Sequence, residues 1–504
     1  MKRFLMKRFL SLSLVTLLSA TIIGCGMPNV GTADAPAAPA APAPATPAPA
    51  DTGSAELEPV TLHILDSADS SRAQRELFHE KYMDLHPHVT IEYTSMTLAD
   101  KRTALITMTR AGDAPDVFML PQGLTLTTVI NEGWFQALTP LVTDEFIASI
   151  DPLMLVEGHT TMNGVIYALP EQLPLIGSLF YYNRDLLDAA GVTELPTTYS
   201  EFLEVARRVT EAGNGEFFGI IEAGRTMFRL NDLGRSLVQM AGGRIPQAHV
   251  ALTVNNRAPY DLPEVVEALE FLGQLMADGS FHPDTLNLSG PEARQLFGMG
   301  QAAFMCQGLW SIGPWFEANP DINLGVMAPP RPDGATVSAL NAQQVNPHFG
   351  VSAITEHPHE AARYLMAKFS MEYGYQADSV AAGIFVSIIP EVNERYLAHP
   401  VALQYFNLAQ DLTVSVPMAT QRNFDVFDFY TEVTDVQPDF PSIVQGVLAG
   451  SITNIAAELA ALADNSTTEW QRASNAIGLD FNVFEFPNWV PGVPFTDADY
   501  AALD

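Results

Sequence analysis

Short apolar runs alternate with amphipathic helical segments early in the chain, and this alternation constrains the fold more than any other feature. The pattern predicts strands at 60–65, 89–93 and 115–120, and helices at 71–85 and 98–111. Parallel neighbouring strands need a long connection that returns the chain to the same end of the sheet, and a helix supplies it. The order therefore predicts a mostly parallel sheet flanked by helices.

A second unit of the same kind begins with a predicted strand at 178–182. Thr198 and Glu201 have the spacing of a capping box, in which each side chain satisfies a free backbone amide at a helix start. The other segments predicted by periodicity are helices at 185–190, 198–212, 231–241, 262–278, 291–298, 358–369, 440–449 and 452–464, and a strand at 302–307. Two α/β units in succession are therefore expected.

The first residues have the composition of an export signal. A basic start precedes an apolar run at 9–23, which is too short to span a bilayer stably. Residues 22–25 (Ile-Ile-Gly-Cys) resemble a lipobox, which implies that 1–24 is a lipoprotein signal peptide and that Cys25 carries the lipid. The alternatives are a short membrane anchor or plain secretion, and Met6 is an alternative start.

Residues 25–57 are predicted to be a tether. The stretch 35–50 consists of Ala and Pro except for Thr46, and such a composition favours extended polyproline II segments over a packed core. We therefore expect an extracytoplasmic protein that is lipid-anchored to the cell membrane, at its outer face or in the periplasm. Its contact with the membrane would be through the lipid only.

The charge balance excludes some partners. The chain has 25 Lys and Arg against 58 Asp and Glu, a formal net charge of −33. Its lysines beyond the signal are Lys81, Lys101 and Lys368. Such a field repels nucleic acid and anionic lipid, so neither is expected as a partner. Acidity by itself does not identify a ligand.

The chain has two cysteines, Cys25 and Cys306. If Cys25 is acylated, no internal disulfide can form. Cys306 follows Ala302-Ala303-Phe304-Met305 and is therefore expected to be a buried, inert thiol.

Motifs for catalysis are missing from the sequence. It contains no His-Glu-x-x-His, no Gly-x-Ser-x-Gly and no phosphate loop ending in Gly-Lys. The glycines of 298–303 imitate a dinucleotide fingerprint, but they follow a predicted helix and precede a strand, the reverse of the required order. We therefore predict no enzyme activity, catalytic residue, cofactor or metal.

Several segments, in the same order along the chain, resemble those of the extracellular solute-binding proteins of ABC importers, especially the sugar-binding branch. The most specific is Phe180-Tyr181-Tyr182-Asn183-Arg184-Asp185-Leu186-Leu187, with Ala190-Gly191 and Pro196-Thr197-Thr198-Tyr199 after it. In the last of these, Tyr199 replaces the family's Trp. The others are Ala111–Val117, Asn163–Pro170 and Gly300–Trp310. The resemblance as a whole covers roughly residues 58–470.

The resemblance implies a two-lobed periplasmic-binding-protein-like fold (class II) whose lobes close on a ligand. The N-terminal lobe would take 58–173 plus 329–392, and the C-terminal lobe 174–328 plus 393–504. Residues 479–504 lie beyond the resemblance, but they are apolar enough that we expect them to pack back onto a lobe. The implied function is that of a monomeric receptor that captures a carbohydrate and delivers it to the permease subunits of an ABC importer.

A sugar ring is held by an aromatic plate, and Trp310 is the candidate for it. It follows the strand predicted to end at Gln307, and Gly308 separates it from that strand. The resemblance also places a sugar-stacking Trp of the family here. The alternative is a Trp packed in the core or at a hinge. Trp315 and Trp134 are expected to pack.

Polar candidates for hydroxyl recognition follow predicted strands or lie near the hinge, because loops at the carboxyl ends of strands carry ligands in open α/β sheets. Each has an ordinary alternative as a helix cap, loop residue or solvated acid. They are Asp66 and Ser67 after the first strand, Gln122 after the third, Glu171 and Gln172 at the hinge, and Asn341 in an amide-rich stretch.

Two other functions remain open. One is the same receptor fold for a polyamine, a peptide or an iron chelate. The other is a polysaccharide hydrolase, because paired carboxylates can act without a sequence motif.

Overall fold

A computed structural model describes residues 57–67, 70–121, 124–174, 178–245, 251–337, 339–342, 345 and 348–503. The predicted signal peptide, Cys25, the tether and Gln122 lie outside the described residues. No helix in the described part is long and apolar enough to cross a membrane.

Strands and helices alternate along most of the described chain. The strands are Val60–Asp66 (β1), Val89–Ser95 (β2), Val117–Met119 (β3), Thr161–Met162 (β4), Val165–Ile166 (β5), Leu179–Asn183 (β6), Phe218–Ile220 (β7), Ala302–Gln307 (β8), Leu324–Met327 (β9), Leu340–Asn341 (β10), Phe349–Val351 (β11) and Thr413–Val414 (β12).

The α-helices become more frequent toward the carboxyl end. They are Arg72–Leu85 (α1), Leu98–Ala111 (α2), Leu126–Asn131 (α3), Asp144–Ser149 (α4), Arg184–Ala189 (α5), Tyr199–Gly213 (α6), Met227–Met240 (α7), Pro263–Ala277 (α8), Gly290–Gly298 (α9), Ile312–Ala318 (α10), Pro358–Phe369 (α11), Tyr375–Ala381 (α12), Pro390–Tyr396 (α13), Pro400–Leu412 (α14), Ala419–Arg422 (α15), Val426–Glu432 (α16), Phe440–Leu448 (α17), Ile455–Ile477 (α18) and Asp497–Ala501 (α19).

The first sheet has the order β11-β3-β1-β2. β1 is parallel to both β2 and β3, as the alternation predicts, while β11 is antiparallel to β3. The parallel strands are joined by crossover helices, whereas β11 comes from far along the chain and is free of that constraint.

The second sheet has the order β7-β8-β6-β9. β7 is parallel to β8, but β6 is antiparallel to both β8 and β9. This sheet therefore differs from the mostly parallel one expected from the sequence. Its central strand β6 is the first strand of this sheet in chain order. No crossover helix joins β6 to an earlier strand of the sheet, so no such connection requires it to be parallel to its neighbours.

Two contacts show how the late part of the chain returns to earlier elements. β11 pairs with β3 of the first sheet, and the Gln404 side chain in α14 donates a 2.9 Å hydrogen bond to the Val326 carbonyl of β9. In addition, β10 pairs with β12 in a separate two-stranded sheet. The chain therefore passes between the two sheets more than once, and the lobe bounds expected from the resemblance stay a prediction.

The aromatic and sulfur side chains expected to pack do so. Trp134 and Trp315 are buried, and the Trp315 indole N–H donates to the Arg294 carbonyl at 2.9 Å. Cys306 is completely buried in β8, and burial raises the pKa of its thiol well above the usual value. This confirms the expectation of an inert thiol.

The final residues pack onto the body, as predicted. Phe484, Phe486 and Trp489 are buried in one apolar cluster with Leu252 and Phe429. The rings of Phe429 and Phe484 lie 4.5 Å apart. Residues 479–503 are therefore an integral part of the fold.

Candidate functional site

A group of charged side chains is buried at the carboxyl end of β1. We call Asp66, Arg75, Lys101, Glu171 and Lys368 the first-sheet cluster. Asp66 is completely buried, forms an ion pair with Arg75 of α1 and accepts a 2.7 Å hydrogen bond from the Tyr93 hydroxyl.

Glu171 is the most connected group of this cluster. Its carboxylate accepts from Arg75 at 2.7 Å and from the Tyr375 hydroxyl at 2.6 Å, and it lies 2.9 Å from Lys368 Nζ. Its backbone N–H donates to His348 Nδ1 at 2.9 Å. Burial opposes ionisation, but the two cations and the hydroxyl outweigh it and hold the pKa of Glu171 well below its usual value.

The two lysines of the first-sheet cluster are completely buried. Burial lowers the pKa of each to about 8, against the attraction of Asp66 and Glu171. Lys368 Nζ also lies 4.0 Å from the Tyr375 ring centroid. Lys101 Nζ and the Ser67 hydroxyl are both buried without a hydrogen-bond partner among the described residues.

Trp310 lies at the equivalent edge of the second sheet, directly after β8. Its indole is half-buried, and the Arg229 guanidinium carbon lies 5.6 Å from its ring centroid. The ring folds back over Gly308, where a Cβ would lie 2.1 Å from its Cζ3 atom. Glycine at position 308 is therefore required for the observed orientation of the Trp310 indole.

Beside Trp310 lies a second group of buried polar side chains. With Trp310, we call Ser178, Glu222, Arg229 and Asp232 the second-sheet cluster. Arg229 is 2.7 Å from Asp232 and donates to the Cys306 carbonyl at 2.6 Å. Glu222 follows β7 and accepts from the Cys306 N–H at 2.7 Å. Burial raises the pKa of Glu222 to about 7, although Arg229 opposes that shift.

A cavity of about 270 Å³ separates the start of α1 from α10. Its lining combines apolar Phe316 and Ile384 with polar Ser70, Gln74, Glu317 and His399. In the chain, α1 is the first helix after β1, and α10 directly follows the turn that holds Trp310. None of the predicted ligand residues is itself among the lining.

The predicted site residues fall into different surroundings. The structure brings Asp66 and Glu171 together through Arg75, but it places Trp310 in the other cluster. Gln172 is half-buried next to Glu171 in the chain. Asn341 lies in β10, where its N–H donates to Gln239 Oε1 at 3.0 Å, and its Nδ2 is buried without a partner among the described residues.

Sequence reasoning missed the cationic members and Glu222. Lys101 and Lys368 lie within helices and carry no positional signal. Glu222 follows β7, a strand of three residues that is too short to show alternation. The part of the chain that the structure describes contains no group of three or more His, Cys, Asp or Glu that could hold a metal ion.

Comparison with known families identifies the fold and the family. The model of the bacterial extracellular solute-binding proteins matches residues 67–369, which include β3, all four strands of the second sheet and Trp310. The chain belongs to the bacterial extracellular solute-binding proteins. Family membership places it outside the cytoplasm. The two-lobed class II fold is confirmed by the likeness to solved structures.

Characterised relatives are distant. A maltotriose-binding protein of Pyrococcus abyssi is 24% identical over 260 residues, which are 51% of this chain and 50% of the relative. A putative binding protein of Brucella abortus is 23% identical over 211 residues, 42% of this chain and 48% of the relative. The chain spans about half the length of the curated relatives it matches.

Solved structures match over most of their length. The maltose/maltodextrin-binding domain of Bdellovibrio bacteriovorus, bound to maltotriose, has a TM-score of 0.62 at 16% identity and covers 82% of this chain and 100% of its own. The GacH receptor of Streptomyces glaucescens, solved with acarbose, has a TM-score of 0.61 at 19% identity, with 82% and 98% covered. At these identities the likeness establishes the fold.

Proposed function

We propose that this solute-binding protein is a lipid-anchored, extracytoplasmic receptor that binds a carbohydrate and delivers it to the permease of an ABC importer. Family membership supplies the general role of a solute-binding protein. The carbohydrate, the permease, the monomeric state and the anchor at Cys25 are the proposed parts.

The half-buried indole of Trp310 is the observation that carries the carbohydrate proposal. It lies at the carboxyl end of β8, the edge at which open α/β sheets bind ligands. Arg229 supports one face of the ring at 5.6 Å. A supported, partly exposed aromatic plate suits the apolar face of a sugar ring, and the maltotriose and acarbose named for the relatives are carbohydrates.

Closure of two lobes is the proposed mechanism of capture. We assign 58–173 plus 329–392 to one lobe and 174–328 plus 393–504 to the other. The cavity between α1 and α10 is the space that we assign to part of the solute. Contacts that the solute makes in the closed form and not in the open form would shift the equilibrium toward closure.

Binding of saccharides by the purified full-length chain tests this proposal. Thermal unfolding with mono- and oligosaccharides, polyamines and short peptides is expected to show a raised Tm with one sugar class, because a ligand that binds the native state stabilises it by mass action. Trp310→Ala is expected to abolish that rise, and Trp310→Phe, which keeps a flat ring, to retain most of it.

Two outcomes would contradict the carbohydrate proposal. A shift with a polyamine or a peptide, and with no sugar, would keep the receptor role and overturn the ligand class. Turnover of a polysaccharide would point to a hydrolase instead.

Membrane retention tests the anchor. Cys25→Ser is expected to move the protein from the membrane fraction to the soluble extracytoplasmic fraction, because the acylated sulfur is lost. Equal retention of both forms would contradict lipid anchoring.

A further inference from the structure

The first-sheet cluster contains more cations than anions. Its acids are Asp66 and Glu171, and its bases are Arg75, Lys101 and Lys368. Arg75 lies within ion-pair distance of both carboxylates, and Lys368 lies 2.9 Å from Glu171. The described residues show no ion pair for Lys101, so these five side chains carry one positive charge in excess.

The environment of Lys101 makes this excess unusual. The side chain is completely buried, and its ammonium has no hydrogen-bond partner among the described residues. Asp66 and Glu171 attract it and Arg75 repels it. A buried charge without a partner is strongly unfavourable, so proteins normally pair it or bind something to it.

The use of lysine in this chain points the same way. Beyond the predicted signal, lysine occurs at 81, 101 and 368, in a chain with 58 acidic residues. Two of these three are completely buried in this one cluster. A local excess of positive charge is therefore concentrated inside a protein whose net charge is −33.

The location of the cluster connects it with binding. Asp66 ends β1, and Ser67, the next residue, has a buried hydroxyl that also has no partner in the described part. The carboxyl ends of strands in open α/β sheets are where ligands bind. Opening of the two lobes would give a solute access to this edge.

We propose that the solute is an acidic saccharide, with a carboxylate of the uronic-acid type, and that the ammonium of Lys101 binds this carboxylate. This inference rests on the proposed carbohydrate function and names its substrate class. Trp310 would hold the ring of the saccharide, and Lys101 its charge. Neutral saccharides would leave Lys101 without a partner and bind more weakly.

Isothermal titration of the purified full-length chain tests this. We expect a uronate oligosaccharide to bind at least tenfold more tightly than the neutral oligosaccharide of the same length. Lys101→Met is expected to remove that preference. Lys101→Arg, which retains the charge, is expected to keep part of it.

Lys81→Met is the matched control, because Lys81 is exposed on α1 and its ammonium donates to the Glu372 carbonyl. It is expected to bind like the wild type. Without ligand, Lys101→Met is also expected to unfold at a Tm equal to or above that of the wild type, since it removes an unpaired buried charge. This measurement decides the state of Lys101 independently of any solute, and a large loss of Tm would overturn the inference.

The binding outcomes separate this inference from the proposed function. Binding of neutral saccharides in preference to uronates would overturn the inference and leave the carbohydrate function intact. Binding of small non-sugar carboxylates alone, lost in Lys101→Met, would overturn the carbohydrate function. Binding of sulfated sugars in place of uronates would overturn the carboxylate assignment.

Discussion

The two clusters lie at strand ends of different sheets and differ in the groups that they contain. The first-sheet cluster joins two carboxylates to Arg75 and Lys368, with Lys101 and tyrosine hydroxyls around them. The second-sheet cluster surrounds one guanidinium with two carboxyl groups and adds a half-buried indole. One strand end therefore concentrates charge, and the other carries a partly exposed flat apolar surface.

The clusters also differ in how they respond to loss of one member. Glu171 is held ionised by its neighbours, whereas burial makes Glu222 reluctant to ionise. Removing Glu171 leaves the buried guanidinium of Arg75, which cannot lose its charge, with one carboxylate fewer. Removing the central cation of the second-sheet cluster leaves carboxyl groups that can take up protons instead.

Glu171→Ala is expected to give the largest effect. It removes one of the two carboxylates paired with buried Arg75 and the carboxylate 2.9 Å from buried Lys368, which costs about 3–5 kcal/mol of the free energy of unfolding. Urea unfolding measures this. Glu391→Ala is the control, because its pair with Arg395 is more than half exposed and contributes less than about 0.5 kcal/mol. Equal effects of the two substitutions would show that the cluster is not a structural centre.

Arg229→Met is expected to have a smaller effect, about 2 kcal/mol by urea unfolding, because Glu222 and Asp232 can be protonated when the cation is removed. The fluorescence of Trp310 should change as well, since the charge beside its ring is lost. Arg225→Met, which removes an exposed pair with Glu292, is the control. A loss as large as that of Glu171→Ala would erase the contrast between the clusters.

The third expectation concerns pH. The pKa of Glu222 is raised in the folded state from 4.5 to about 7, so the folded state binds its proton more tightly than the unfolded state does. This contribution is fully present below about pH 4.5 and is lost as pH rises to about 7, by at most about 1.4 kcal/mol for each pH unit.

Glu222→Gln removes that dependence, so its stability relative to the wild type should increase between pH 5 and 7 and stay constant above. Glu171 behaves oppositely, because its pKa is lowered: its contribution is present above its ordinary pKa of 4.5 and is lost as pH falls further. Urea unfolding between pH 5 and 7 measures the contribution of Glu222, and urea unfolding below pH 4.5 measures that of Glu171. Parallel curves for Glu222→Gln and wild type would contradict the assignment.

The sequence predicted regular elements well where local chemistry determines them. Helices at 98–111 and 358–369 and the strand at 302–307 have the predicted bounds. The N-cap of Thr97 and the left-handed Gly112 at the other end fix the first of these locally. Short strands such as β7 and β9 went unpredicted because three or four residues carry too little alternation.

The site was predictable only in part. The predicted strand positions correctly indicated that Asp66 and Trp310 lie at the carboxyl ends of strands, β1 and β8. It gave no sign that Asp66 and Glu171 would share Arg75, because Arg75 and Glu171 are 96 residues apart in the chain. Whether Asp66, Ser67, Gln122, Glu171, Gln172, Asn341 and Trp310 contact a solute stays a prediction.

The burial of Cys306 has a practical consequence for observing lobe motion. Its thiol is sealed inside β8, so cysteine-directed dyes should leave it unmodified in the folded protein. Dyes could then be attached to cysteines introduced at Leu77 in α1 and at Met299 after α9, both of which are exposed. Energy transfer between them would follow opening and closing in single molecules, against a background without native labelling of the folded body.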